Sequence, residues 1–105
     1  MTINIRAKNM ELTDAIRDYT EEKLSSLEKF YNNILHTEVD LGLDSNHHNS
    51  GEIFMCIAVV EVPGKVFRVE KTEKNLYKAI DKVKDHLKEE IIAWKEKNRD
   101  ALRNE

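Results

Sequence analysis

The sequence predicts an α+β domain: a two-layer sandwich of β-α-β-β-β-α order, with a four-stranded sheet and two helices packed on one face. Three observations carry that expectation. Two stretches place apolar residues at helical spacing, each in a single stripe. Four others are extended runs that alternate apolar with polar residues or are dense in β-branched ones. The lone proline, Pro63, stands next to Gly64 between two of those runs and marks a tight turn. At 105 residues the chain suits one domain and is too short for two.

Taken in order, Thr2 to Lys8 sets Ile3, Ile5 and Ala7 on one face and reads as a strand. Thr13 then offers a side-chain oxygen to the free amides of a helix start, with Asp14 well placed at the positive end of the dipole. Ile16, Tyr19, Leu24, Leu27 and Phe30 continue at helical spacing, so the helix is expected to end near Tyr31 to Asn33. A second strand spans about Leu35 to Leu43, where Val39, Leu41 and Leu43 alternate with Asp40 and Gly42. The polar stretch Ser45 to Gly51 reads as a hairpin loop. Ile53 to Val62 is apolar and rich in β-branched residues, as a central strand is, and Lys65 to Lys71 forms the fourth strand. The last helix is expected to begin at Thr72 to Lys74. Its stripe of Leu76, Ile80, Val83, Leu87, Ile91 and Trp94 is the strongest periodic signal in the chain. A strand, a helix and a second strand can close as a right-handed parallel crossover, and two hairpins complete the sheet. The domain is expected to cover residues 1–97, with 98–105 a short charged tail that frays.

Charged residues make up 35% of the chain and the apolar set 40%. No apolar run approaches the roughly 20 residues that a membrane span needs. The first ten residues carry Arg6 and Lys8 and do not resemble a secretion signal. The single cysteine, Cys56, has no internal disulfide partner; mid-strand, it reads as a buried small hydrophobe, and a cytoplasmic setting is expected. The formal charge of −3 comes from 17 Lys and Arg against 20 Asp and Glu, which argues against a nucleic-acid surface spread over the whole molecule. The distribution is uneven. Glu73 to Arg103 holds nine basic and seven acidic residues, whereas Thr13 to Phe30 holds three and five. Any cationic footprint must be local.

On a wheel at 100° per residue, Lys84, Lys88, Lys95 and Arg99 fall within about 60° of one another on one flank of the last helix. Long lysine side chains in such a row can follow a phosphodiester backbone and release its counterions. Asp81 and Asp85 on the same helix give the alternative of an ordinary mixed-charge surface. Tyr77 lies at the edge of the core stripe and is placed either to cap the core or to stack on a base. Trp94 falls on the stripe and reads as core, while Ile92 points away from it. His47, His48, His86 and Cys56 have no metal-ligand spacing, so no metal or other cofactor is expected. There is no Gly-rich phosphate loop, nucleophile elbow or carboxylate pair in an apolar setting. An enzyme with a small-molecule substrate is therefore not expected.

Several segments in order resemble the ribosome hibernation-promoting factor family, also called the ribosome-associated inhibitor or sigma-54 modulation family. They are Asn9-Met10-Glu11-Leu12-Thr13-Asp14-Ala15-Ile16-Arg17-Asp18-Tyr19, Lys23-Leu24-Ser25-Ser26-Leu27-Glu28-Lys29-Phe30, Val62-Pro63-Gly64 followed by Phe67-Arg68-Val69-Glu70, and Asn75-Leu76-Tyr77-Lys78-Ala79-Ile80-Asp81. The resemblance runs over about residues 1 to 97 and is closest to the short class, which lacks a C-terminal dimerising domain.

What the resemblance implies is a translation inhibitor of bacterial stress and stationary phase. It would bind the 16S rRNA of the small ribosomal subunit, in the channel of the messenger RNA and the A- and P-site transfer RNAs. By that resemblance Lys23 and Lys29 on the first helix and Lys95 on the last match basic positions that contact rRNA; Arg17 matches too, with a structural ion pair as its alternative role. At Ser26, His86 and Glu89 the family's basic residues are missing, so the binding row is expected to turn toward Lys84, Lys88 and Lys95. The chain is expected to be a monomer in isolation. Two alternatives stay open: a protein-interaction module of the same fold without the ribosome role, and a stand-alone double-stranded RNA binder.

Overall fold

In the computed structural model, residues 1–44 and 51–99 are described. Residues 45–50 of the predicted loop Ser45 to Gly51, with His47 and His48, and the tail residues 100–105 lie outside them. Strand β1 (Thr2–Lys8) alternates exposed and half-buried residues along its whole length, the pattern of an edge strand with one face on a core. Helix α1 (Asp14–Ser25) starts where Thr13 was expected to cap it: the Thr13 hydroxyl accepts the Ile16 amide at 3.2 Å.

Two boundaries differ from the sequence reading. The first α-helix does not run to Tyr31. It stops at Ser25 and tightens into a 3-10 turn, Ser26–Lys29. The cause is local: Ser26 donates its hydroxyl to the Lys23 carbonyl at 2.5 Å, a side-chain bond that competes with helix continuation. The tighter turn keeps Leu27 fully buried. The second helix starts later than Thr72 to Lys74. Strand β4 (Lys65–Glu73) keeps pairing with β3 (Ile53–Val62) as far as Glu73 opposite Phe54. Helix α2 (Leu76–Lys97) then begins behind Asn75, whose side chain accepts the Lys78 amide at 3.2 Å. Asparagine is among the best residues for that position.

The sheet order is β1-β2-β3-β4, with β2 at His36–Asp44. The neighbours β1 and β2 are parallel, with Ile5 opposite Val39; β2–β3 and β3–β4 are antiparallel. Gly64 takes φ +82° in the β3–β4 turn, a conformation that costs other residues strain. Thr37, Val39 and Leu41 of β2, alternate residues of β3 from Cys56 to Val62, and Phe67 and Val69 of β4 are all buried. They share one face, and the buried stripes of both helices pack against it. The opposite face is polar over β1 and β2, where Arg6 holds Asp40 at 3.0 Å. Burial pushes the Cys56 thiol up to about 12, so it has no thiolate character at neutral pH. Among the described residues no helix is long and apolar enough to cross a membrane.

Candidate nucleic-acid interface

Helices α1 and α2 run side by side in the same direction. Tyr19 meets Tyr77 and Asp81 near the start of α2, Lys23 reaches Asp81, and Phe30 meets Lys88 and Lys95 further along. The seam between them is where the predicted cations gather. Lys23 and Lys29 from the α1 side and Lys84 from α2 line one open groove of about 520 Å³, together with Glu22, Ser25 and Ser26. Lys29 also lines the next groove along, with Lys95, Phe30 and Tyr31. Between the two, the Lys88 ammonium stands 4.9 Å from the centre of the Phe30 ring. Lys95 donates to the Phe30 carbonyl at 2.5 Å. That bond satisfies a carbonyl near the end of the 3-10 turn and fixes the turn against α2.

Five of the seven predicted cations therefore converge: Lys23, Lys29, Lys84, Lys88 and Lys95. Two do not. Six residues along a helix place Arg17 about 120° around from Lys23, and it is exposed on the flank away from the seam. Arg99 is exposed beyond the Asn98 cap of α2. Of the positions where the expected basic residue is missing, Ser26 lies in the seam groove, while His86 and Glu89 line a groove on the other flank of α2, beside Lys71 of β4.

The head of the seam is aromatic and carries an acid. Tyr19 and Tyr77 pack edge to face at 4.7 Å, and Tyr77 keeps 39% of its surface exposed. The Tyr19 hydroxyl donates to Asp81 Oδ1 at 2.6 Å, which pushes the phenol up to about 12. The same oxygen lies 3.7 Å from Lys23 Nζ, so one carboxylate ties both helices together and partly neutralises the first cation of the row. Lys84 has a looser partner, Asp85 at 3.5 Å. Lys29 has no carboxylate within salt-bridge distance among the described residues. Trp94 is half-buried between Tyr31 and Phe67, in accord with its core assignment. Ile92 is only partly exposed.

Sequence reasoning missed Tyr19 and Asp81 as seam residues. Their spacing within each helix was visible, but only the pairing of the two helices brings a hydroxyl at 19 to a carboxylate at 81. Among the described residues no cluster of His, Cys, Asp and Glu is arranged to hold a metal ion.

Comparison with known proteins gives a consistent picture. Residues 3–99 match the family model described as sigma 54 modulation protein / S30EA ribosomal protein. The chain is 31% identical over 97 residues to the ribosome hibernation promoting factor of Azotobacter vinelandii, covering 92% of this chain and 85% of that protein. It is 31% identical over 91 residues to the ribosome hibernation promotion factor of Deinococcus radiodurans, covering 87% of this chain and 47% of the relative. The chain thus spans about half the length of several relatives that it matches. Among solved structures, the N-terminal domain of Protein Y from Thermus thermophilus superposes with a TM-score of 0.78 at 34% identity, over 90% of this chain and 99% of that one. A ribosomal subunit interface protein from Coxiella burnetii shares the fold, with a TM-score of 0.79 at 19% identity over 90% of this chain and 98% of that one.

Proposed function

Because the chain belongs to the sigma-54 modulation protein / S30EA ribosomal protein family, we propose that it is a ribosome-associated hibernation factor that holds the small subunit inactive by occupying its RNA-lined channel. The observation that carries this reading is the convergence of Lys23, Lys29, Lys84, Lys88 and Lys95 along one seam. A phosphodiester backbone laid along the seam meets an ammonium group at every stage, with Tyr77 exposed at the head as a stacking surface for an unpaired base. On this reading no bond is made or broken. The domain acts by filling space and neutralising phosphate.

The test is co-sedimentation with small subunits across a salt series. Five phosphate contacts predict that affinity falls by about two to three orders of magnitude between roughly 50 and 200 mM salt, linearly on logarithmic axes. Binding that ignores salt would remove the electrostatic mechanism. It would favour the second reading, a protein-interaction surface, for which the flanking Glu22, Asp81 and Asp85 speak.

Asp81 supplies a further expectation. It competes with phosphate for Lys23, so Asp81→Asn should raise affinity roughly threefold to tenfold, in line with the worth of a partly exposed ion pair plus relief of repulsion. The Tyr19 contact survives that substitution, since an amide oxygen still accepts. Weaker binding by the variant would show that Asp81 serves the RNA rather than opposes it.

A further inference from the structure

Strand β4 closes the sheet on the side away from β1, and among the described residues its outer backbone edge has no neighbour. A free edge of nine residues is a template for another strand. Edges are protected by being short, bulged, interrupted by proline or charged; β4 is regularly paired with β3 from Lys65 to Glu73 and has only its charges, which are not arranged to repel a copy of itself. Its charges are placed symmetrically instead. Counting outward from Val69, Arg68 stands against Glu70, Val66 against Thr72, and Lys65 against Glu73.

We propose that β4 pairs antiparallel with β4 of a second copy of this chain, in register about Val69. In that register each Arg68 faces the Glu70 of the other copy and each Lys65 faces its Glu73. The two Val69 side chains meet on the axis, and Phe67 lies opposite Lys71. No like charges are opposed, and directly opposed residues are the pairs that interact most in a sheet. Neighbouring registers lack this property. Centring on residue 68 opposes two arginines and sets Lys65 against Lys71, while centring on residue 70 opposes two glutamates. Half-step registers turn the two helix layers to opposite faces of the sheet, because side chains alternate.

The helices admit the arrangement. Helix α2 rests across both β3 and β4, so two symmetry-related copies stand about two strand spacings apart, about 9.6 Å. That lies within the usual distance between packed helices, about 8–10 Å. Each Lys71 approaches the other copy's Phe67, whose own groove holds Glu90 and Trp94. Glu73 uses Oε2 to accept from Lys82 at 2.6 Å, which leaves Oε1 for the incoming Lys65. The edge lies on the flank of α2 opposite the lysine seam, so both seams stay open in the pair. The monomer expected from the sequence is then the dilute form of a weak, reversible dimer.

The experiment is analytical ultracentrifugation of the full chain over a concentration series. Wild type is expected to show a reversible monomer–dimer equilibrium. Arg68→Glu alone and Glu70→Arg alone each oppose like charges twice per dimer, and each should weaken association roughly tenfold. An equimolar mixture of the two variants restores both cross-copy pairs and should regain wild-type association. Arg68 also contacts Glu70 within the chain at 3.2 Å. That contact is lost in both variants and mixing does not return it, so recovery reports the pairing between copies. Should either variant fail to fold, Lys65→Glu mixed with Glu73→Lys applies the same logic to the outer pair. Wild type that stays monomeric up to its solubility limit, or mixtures that do not recover, overturns the proposal.

Discussion

Reversal of Lys84, Lys88 and Lys95 to glutamate should lower affinity for the small ribosomal subunit by roughly a hundredfold or more at moderate salt, since the proposed role turns three phosphate contacts into three repulsions. The three residues share one flank of α2, but they are not equivalent. Lys84 contributes charge to the groove it shares with Lys23 and Lys29. Lys88 rests over Phe30, and Lys95 holds the Phe30 carbonyl, so both also join the 3-10 turn to α2. A melting curve must therefore accompany the binding curve. Lys84→Glu, whose one acidic contact among the described residues is the loose one to Asp85, should carry a binding loss with little change in melting. Arg17→Glu is the informative control. Resemblance to the family places Arg17 at the RNA, whereas its position off the seam predicts a change within about threefold, as for a distant charge screened by salt. If Arg17→Glu instead costs as much as the α2 variants, the bound surface extends around α1 and the seam is not its centre.

The parts of this molecule that were legible in the sequence are those decided by a single element. The six-residue stripe of α2, the Thr13 cap and the turn at Pro63-Gly64 each follow from local periodicity or local hydrogen bonding, and the structure has all three as read. The boundaries that moved were decided by competition between neighbours. Ser26 bonding back to Lys23 ended α1 early, and β3 holding Thr72 and Glu73 in the sheet delayed α2 to the Asn75 cap. The site was legible one helix at a time. A wheel showed that Lys84, Lys88 and Lys95 share a flank, but it could not show that the flank faces α1. Nor could it show that Lys23 meets a carboxylate on arrival while Lys29 meets none among the described residues. Arg99 illustrates the converse, since helical spacing projected it onto the row although the helix is capped at Asn98 before reaching it.

Leu87→Ala should cost about 3 kcal/mol of folding stability, the usual loss for a fully buried leucine truncated to the first carbon, and lower the melting midpoint by roughly 15 °C in a domain of this size. Leu87 has no exposed surface and lies in the middle of the α2 stripe, between Val83 and Ile91, which are equally enclosed. Helix α2 packs across both β3 and β4, so a shift of one strand does not collapse the cavity. The consequence reaches the seam because Leu87 sits between Lys84 and Lys88 on the same helix. Those two ammonium groups keep their spacing to Lys23 and Lys29 only while α2 is pressed onto the sheet. RNA binding by Leu87→Ala should accordingly be close to wild type well below its midpoint and vanish together with the helical signal on heating. Ile92→Ala, one face around and only partly buried, should cost well under half as much, since the lost burial is smaller and water can fill the gap. A Leu87→Ala variant with an unmoved midpoint would mean that something other than the stripe clamps α2, and the seam's geometry would then need a different cause.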